Sequence, residues 1–189
     1  MKYNILLASK SPRRQNILKD LGFDFEIIQL YAEESFSVEL NSRMVASFLA
    51  DKKSKSYASE LKDNDILITA DTVVIFNDSI LGKPESEKEA FNMLKRLSGK
   101  SHEVISGVCI RTSKRCINFS ESSTVEFSDI SEDAINYYIN KFKPFDKAGS
   151  YGIQEWIGLS HVKSIKGSYT NIVGLPSERI YKYLKELTK

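Results

Sequence analysis

The run Ile5-Leu6-Leu7-Ala8 is apolar throughout, and the six residues that follow are polar or basic apart from Pro12. Beyond them Ile17, Leu18 and Leu21 share one helical face, and Gly22 stands where a helix would stop. A short apolar run giving way to 3.6-residue spacing predicts strand, turn and helix. Ser11 is the expected N-cap, and Pro12 suits the first helical position, where its missing N–H is no loss. Alternation over residues 23–30 predicts a second strand. Met44, Val45, Phe48 and Leu49 predict a helix over 41 to about 57. Two apolar runs around Asp71, within 65–76, predict extended structure that turns back at Asn77-Asp78-Ser79.

The later pattern reads the same way. Ser86 with Glu89 is a capping box, and Ala90, Phe91, Leu94 and Leu97 give the following helix its apolar face, closed by Gly99. Residues 102–111 and 116–127 read as strands joined by a basic turn. Ser131-Glu132-Asp133 opens a helix with Ile135, Tyr138 and Ile139 inward, ending before Pro144. Residues 145–154 are too rich in glycine and polar groups for an element interior and read as a loop shaped over a site. Residues 159–165 predict a strand. Residues 167–176 form a second glycine-bounded loop, and 176–187 the closing helix, with Ile180, Tyr183, Leu184 and Leu187 packed. No repeat, low-complexity tract or long linker interrupts the chain, so residues 1–189 read as a single domain.

Composition narrows the function classes. The chain has 189 residues, 41% hydrophobic and 28% charged, which is ordinary for a globular protein. A net charge of +2 gives no bulk basicity for nucleic acid, and the aromatic residues fall at core spacing instead of interleaving with a basic stripe. No apolar run reaches membrane-spanning length and no leader pattern opens the chain, so a cytoplasmic protein with neither nucleic-acid nor membrane partners is expected. Cys109 and Cys116 lie in strand-like segments without CxxC or Cys/His spacing. They read as two thiols of a reducing compartment, in preference to a cross-hairpin disulfide.

Three places carry chemistry. The turn Ser9-Lys10-Ser11-Pro12-Arg13-Arg14 offers hydroxyls, free N–H groups, a helix N-terminus and two guanidinium groups, which is equipment for gripping a phosphate chain. Solvated surface arginines are the bland alternative. Asp71 is the acidic residue hardest to dismiss as surface, because a carboxylate inside an apolar segment needs a partner, a metal or a task. Lys83, in a constrained Gly-Lys-Pro turn, is either a phosphate lysine or a loop lysine. Lys52, Lys53 and Lys55, at the end of the second helix, need only its dipole to explain them. Glu33 and Glu34 open a polar loop. His102 has no ligand partner at metal spacing and reads as structural or surface.

Taken together, these residues resemble the Maf family of nucleoside triphosphate pyrophosphatases. The resemblance runs end to end through Ser9–Arg14, Glu33-Glu34, Lys53, Ala70-Asp71-Thr72, Gly82-Lys83-Pro84, Ser98-Gly99-Lys100-Ser101-His102, Asp146-Lys147-Ala148-Gly149, Tyr151-Gly152-Ile153-Gln154, Gly167-Ser168-Tyr169 and Gly174-Leu175-Pro176. It implies an α/β fold: an elongated, twisted mixed sheet flanked by helices, in two lobes with the active-site groove between them, similar to the inosine triphosphate pyrophosphatases. It also implies hydrolysis of a nucleoside triphosphate to monophosphate and pyrophosphate. By the same resemblance Asp71 is the general base. Glu34 and Asp71 hold a divalent cation, Mg²⁺, Mn²⁺ or Co²⁺. Ser9, Arg13, Arg14, Lys53 and Lys83 handle phosphate, Lys83 counting with Asp71 as catalytic. A homodimer is the family expectation.

Within the family, the enzymes acting on dTTP and UTP carry Pro-Arg-Arg, Asp-Thr and Ile-Gln where the 7-methyl-GTP enzymes vary the first Arg and carry Asp-Gln and a Glu. Arg13, Thr72 and Gln154 side with the dTTP/UTP group and are implied to select the base. Two departures stand out. The acidic loop is Ala32-Glu33-Glu34 where many members have Asp-Glu, and Gln154 is followed by Glu155-Trp156-Ile157-Gly158. A nucleotide-binding regulator of septum formation is the alternative from another class. Asp71 favours the enzyme, since a pure binder has no use for a carboxylate beside a phosphate grip.

Overall fold

A computed structural model describes residues 3–30, 32 and 34–188 of the chain. The turn over residues 9–11 is framed as the pattern predicts. Strand β1 (Asn4–Leu7) precedes it and helix α1 (Pro12–Asp20) follows, with Gly22 at φ +80° just beyond the helix. Ser11 caps through its backbone conformation alone. Its N–H donates to Ser9 Oγ at 3.2 Å, and its own hydroxyl makes no capping bond.

Strand β2 is only Glu26–Ile27, both residues exposed, so the expected strand over 23–30 shrinks to two residues. Phe23 and Phe25 pack against the core from irregular backbone instead. Helix α2 (Ser42–Lys55) is capped by Asn41, whose side chain accepts from the Arg43 N–H at 2.9 Å. Its buried face is Val45, Ala46, Ser47, Leu49, Ala50 and Ser54, while Met44 and Phe48 are 54% and 43% exposed. The cause lies on the sheet. A Cβ built on Gly107 would come within 2.2 Å of the backbone at Ala46 and Ser47. The helix therefore presents its small residues to the sheet and turns two large ones outward.

Strand β3 (Asp65–Phe76) turns at Asn77 and Asp78, both at positive φ, into β4 (Ser79–Leu81), pairing Phe76 with Ser79. Two adjacent left-handed residues are the demand of a two-residue hairpin turn. Helix α3 (Glu87–Leu97) is capped by Ser86, which accepts from the Glu89 N–H at 3.2 Å. The Glu89 carboxylate reaches the N–H of Glu85, one residue earlier than a capping box would have it. Strands β5 (Ser101–Arg111) and β6 (Cys116–Phe127) and helix α4 (Glu132–Phe142) follow. The loop expected over 145–154 contains two single 3₁₀ turns, Pro144–Asp146 and Ala148–Ser150.

The strand expected over 159–165 begins later. Residues Trp156–His161 are helix α5, and β7 is Val162–Lys166. Ile157 is buried and Leu159 is 84% exposed, and a Cβ on Gly158 would strike the Ile153 carbonyl, so this tight turn of helix depends on that glycine. Helix α6 (Tyr169–Val173) occupies the second glycine-bounded loop, and α7 (Ser177–Leu187) closes the chain.

Among the described residues the sheet has seven strands in the order β2-β1-β3-β5-β6-β7, with β4 paired to β3. Pairs β1–β2 and β1–β3 are parallel, β3–β4 and β6–β7 antiparallel, so the sheet is mixed, with helices packed on it. The residues group into two compact units. One is built from 1–71, 106–121 and 174–189, around Ile5, Leu7, Leu18, Ile66, Ile68, Val108, Ile110 and Ile180. The other is built from 72–105 and 122–173, around Leu94, Leu97, Val104, Phe127, Ile135, Tyr138 and Ile157. No helix among the described residues is long and apolar enough to cross a membrane.

Candidate active site

The first unit holds Ser9, Arg13, Arg14, Glu34, Lys53 and Asp71, and brings Arg14, Glu34, Lys53 and Asp71 into one electrostatic cluster. Its frame is local. The Ala8 N–H donates to the Ile68 carbonyl at 2.9 Å, continuing β1 along β3, so Ser9 leaves the sheet beside the end of the first half of β3. Ser9 is buried. Its carbonyl accepts from Gln15 Nε2 at 3.0 Å and its Oγ from the Ser11 N–H.

Arg14 is bound on two sides. Its Nε donates to the Gly174 carbonyl and its Nη1 to the Ala70 carbonyl, each at 2.8 Å. Two of its five N–H groups thus hold backbone, one just before Asp71 and one at Gly174. Burial, first, holds the Arg14 guanidinium below its ordinary pKa. Asp71 and Glu34 pull it back up, and Arg13 pushes it further down. Asp71, Glu34 and Arg13 therefore all lie within electrostatic reach of Arg14.

Lys53 is the hub. Its Nζ lies 2.7 Å from Glu34 Oε1 and is ion-paired with Asp71 Oδ2. Lys53 and Asp71 are largely buried side chains, while Glu34 is 57% exposed. The Ala50 carbonyl, one turn before Lys53, accepts from the Thr69 hydroxyl at 2.6 Å, tying helix to strand where the lysine leaves for the carboxylates. Of the three lysines that the helix dipole could account for, Lys55 pairs with Asp51 on the helix surface and Lys52 with the Ser35 carbonyl and hydroxyl. Lys53 alone of the three faces this cluster. Glu33 lies outside the described residues.

A pair of carboxylates bracketing a positive charge is a test of fit for a divalent cation. The donors are all hard oxygen, the charge between them is already positive, and one carboxylate is open to solvent. That set suits Mg²⁺ or Mn²⁺ and not a thiophilic ion.

The second unit holds Thr72, Lys83 and Gln154. Thr72 follows Asp71 on β3 and is half-buried. Lys83 is exposed in the turn after β4, where the Gly82 carbonyl accepts from the Gly149 N–H at 3.0 Å. Gln154 is exposed, but its backbone is held tightly. The Glu155 N–H donates to the Gly152 carbonyl at 3.0 Å, and the Gly152 N–H to the Tyr138 hydroxyl at 3.0 Å. That hydroxyl donates to Glu155 Oε2, and Glu155 Oε1 lies 3.1 Å from the ammonium of buried Lys147. Burial, then the bond to Glu155, pushes the Tyr138 hydroxyl far above its ordinary pKa, so it stays a neutral donor. A Cβ on Gly152 would come within 3.0 Å of Gln154 Nε2, so the glycine makes room for that amide. Sequence reasoning noted Glu155 only as a departure and gave Lys147 no role. The signal was Lys147 itself, a lysine inside a run that becomes buried.

A mixed, helix-flanked sheet of this order is the fold of the Ham1 proteins. The Ham1 protein of Staphylococcus aureus superposes with a TM-score of 0.57 at 15% identity, over 97% of this chain and 98% of that one. The Ham1 protein of Coxiella burnetii gives 0.57 at 12% identity, over 97% and 99%. The sequence places the chain more narrowly: the family model described as Maf-like protein matches residues 4–187, and the chain belongs to that family. Among its relatives, the dTTP/UTP pyrophosphatase of Flavobacterium johnsoniae is 46% identical over 98% of this chain and 96% of its own. That of Bacteroides thetaiotaomicron is 45% identical over 98% and 97%.

Proposed function

We propose that this protein is a nucleoside triphosphate pyrophosphatase that hydrolyses dTTP and UTP, each with one water, to the monophosphate and pyrophosphate. The observation that carries the reading is Asp71. It is a largely buried carboxylate at the end of an apolar strand segment, beside the Lys53 ammonium and within electrostatic reach of the Arg14 guanidinium, in a chain whose full-length relatives bear that activity in their names.

The chemistry follows from the cluster. Asp71 accepts the proton of the attacking water. The water oxygen bonds to the α-phosphorus, and the bond from that phosphorus to the α–β bridging oxygen breaks, releasing pyrophosphate. Arg13, Lys53 and Lys83 hold phosphate oxygens and stabilise the charge that gathers on the leaving group. Ser9 fixes the turn and offers its hydroxyl, and Arg14 holds the backbone at Ala70 while adding its charge. A divalent cation held by Glu34 and Asp71 would neutralise phosphate charge and favour departure of pyrophosphate. Arg13, Thr72 and Gln154 select the base. An amide both donates and accepts, so Gln154 can pair with a pyrimidine edge.

The test is hydrolysis of a panel of dTTP, UTP, CTP, GTP and 7-methyl-GTP with Mg²⁺ or Mn²⁺, with pyrophosphate and orthophosphate measured separately. Monophosphate and pyrophosphate, fastest from dTTP or UTP, are expected. Preference for 7-methyl-GTP overturns the base assignment and keeps the chemistry. Binding without turnover of any nucleotide overturns the enzyme.

A further inference from the structure

We propose that Asp51, Cys109 and Cys116 form a binding site for one thiophilic divalent cation of the zinc class. Sequence spacing shows no such site, because the carboxylate comes from α2 and the thiols from β5 and β6. The structure brings their ligand atoms together. Cys109 Sγ lies 3.3 Å from Cys116 Sγ, and each sulfur lies 3.9 Å from Asp51 Oδ1. Both cysteines are free thiols.

A zinc ion takes thiolate sulfur at about 2.3 Å and carboxylate oxygen at about 2.0–2.2 Å, so three ligands on one tetrahedral face stand roughly 3.4–3.8 Å apart. The observed triangle needs only a few tenths of an ångström of adjustment to meet that geometry. A carboxylate oxygen set equally far from both sulfurs has no part in a disulfide, whereas it is the third donor that a metal wants. The site is built on one helix and two strands, which hold ligands more firmly than loops do.

The surrounding charges are the apparent objection. Arg111 Nη2 donates to Asp51 Oδ1 at 2.9 Å, and Lys55 Nζ lies 2.7 Å from Oδ2. The charge count answers it. Two thiolates, one carboxylate and a dication carry one net negative charge, which the largely buried Arg111 guanidinium neutralises, and the Lys55 ammonium, 67% exposed, adds its positive charge on the solvent side, so the two cations do not exclude the dication. Arg111 also orients the carboxylate, the task of an outer-shell partner, and its Nε donates to Ser54 Oγ at 2.9 Å. Ser54 Oγ in turn lies 3.1 Å from Cys109 Sγ, so the buried thiol is flanked by a hydroxyl of the same network. Cys116 is exposed, which leaves an entry path and a fourth position for water. Loading releases the two thiol protons to solvent.

This donor set is soft where the Glu34–Asp71 pair is hard, and the test exploits the difference. The reduced full chain is titrated with Co²⁺ and then Zn²⁺, with excess Mg²⁺ and no nucleotide. One thiolate-to-cobalt charge-transfer band in the near ultraviolet is expected, saturating at one ion per chain and bleached by one Zn²⁺. Cys116→Ser, an exposed position outside the nucleotide machinery, should abolish the band and weaken Zn²⁺ binding by about tenfold or more, with circular dichroism and dTTP turnover unchanged. Absence of the band in the native chain, or undiminished Zn²⁺ affinity in Cys116→Ser, overturns the site. Neither outcome bears on nucleotide hydrolysis.

Discussion

Lys53 on α2 is ion-paired with Asp71 on β3, and the same ammonium reaches Glu34. Asp71 is therefore held in place by a cation that can also meet phosphate. Asp71→Asn should cut pyrophosphate release by about 10²–10⁴-fold, the worth of a general base. Nucleotide binding by calorimetry should hold or tighten, because a negative charge beside an anionic ligand has been removed. Turnover close to that of the native chain would take Asp71 out of the reaction.

The two arginines should separate. Arg14→Lys cannot keep both backbone bonds, to Gly174 and to Ala70, and bonds from a charged donor are worth about 1.5–3 kcal/mol each. A loss of about 2 kcal/mol in urea unfolding is expected, together with reduced turnover. Arg13→Lys should leave the unfolding midpoint alone and raise KM. Equal stability in both variants would argue against an anchoring role for Arg14.

Gln154 and Glu155 are neighbours with different duties. Gln154→Glu changes an exposed amide, so the melting temperature should stay put while kcat/KM for dTTP and UTP falls. Glu155→Gln leaves the buried ammonium of Lys147 with Asp146, 2.7 Å away, as its remaining carboxylate, so the loss of stability should be about 1.5 kcal/mol, that of one bond to a charged group. Base preference would then loosen because the carboxylate that links the Tyr138 hydroxyl to the Lys147 ammonium, next to Gln154, has lost its charge. An unchanged substrate profile in Gln154→Glu, with the chain folded, would sink its role in base selection.

His102 gives the fold a pH dependence of its own. Burial lowers its pKa from 6.5 to about 4, and its ring stacks on Phe127 while Nε2 meets the Tyr151 hydroxyl at 2.6 Å. As pH falls below 6.5 the unfolded chain takes the proton before the folded one can. Stability is therefore full above that value and drains away down to about pH 4. Between pH 7 and pH 5 the loss should be about 2 kcal/mol. Urea midpoints at the two pH values measure it, and His102→Gln should flatten the difference.

The elements that were legible in the sequence are those whose pattern and punctuation agree. The first strand-turn-helix, the Asn77-Asp78 hairpin and the helices after Ser86 and Ser131 all have periodicity and a cap or turn residue. The misreadings have tertiary causes. The inward face of α2 is set by Gly107, some sixty residues later, and α5 exists because Gly158 lets the chain pass over the Ile153 carbonyl. Asp71 could be picked out because a carboxylate in an apolar run is costly. The partnership of Lys53 could not be told from that of Lys52 or Lys55, since all three sit in the last turns of one helix. The Asp51–Cys109–Cys116 triangle is invisible to spacing for a different reason: Asp51 lies 58 and 65 residues before the two cysteines.

Gly107 has one more consequence, for how this protein can change over time. The distance from α2 to the sheet is set by an atom that is not there, so even one methyl group at that position would lift the helix away. Lys53 rides on that helix, and its reach to the carboxylates would lengthen with the lift. A position that touches no nucleotide, bears no charge and takes no part in the reaction is thereby closed to variation. Its freedom to mutate is surrendered to keep a distant ammonium at its post.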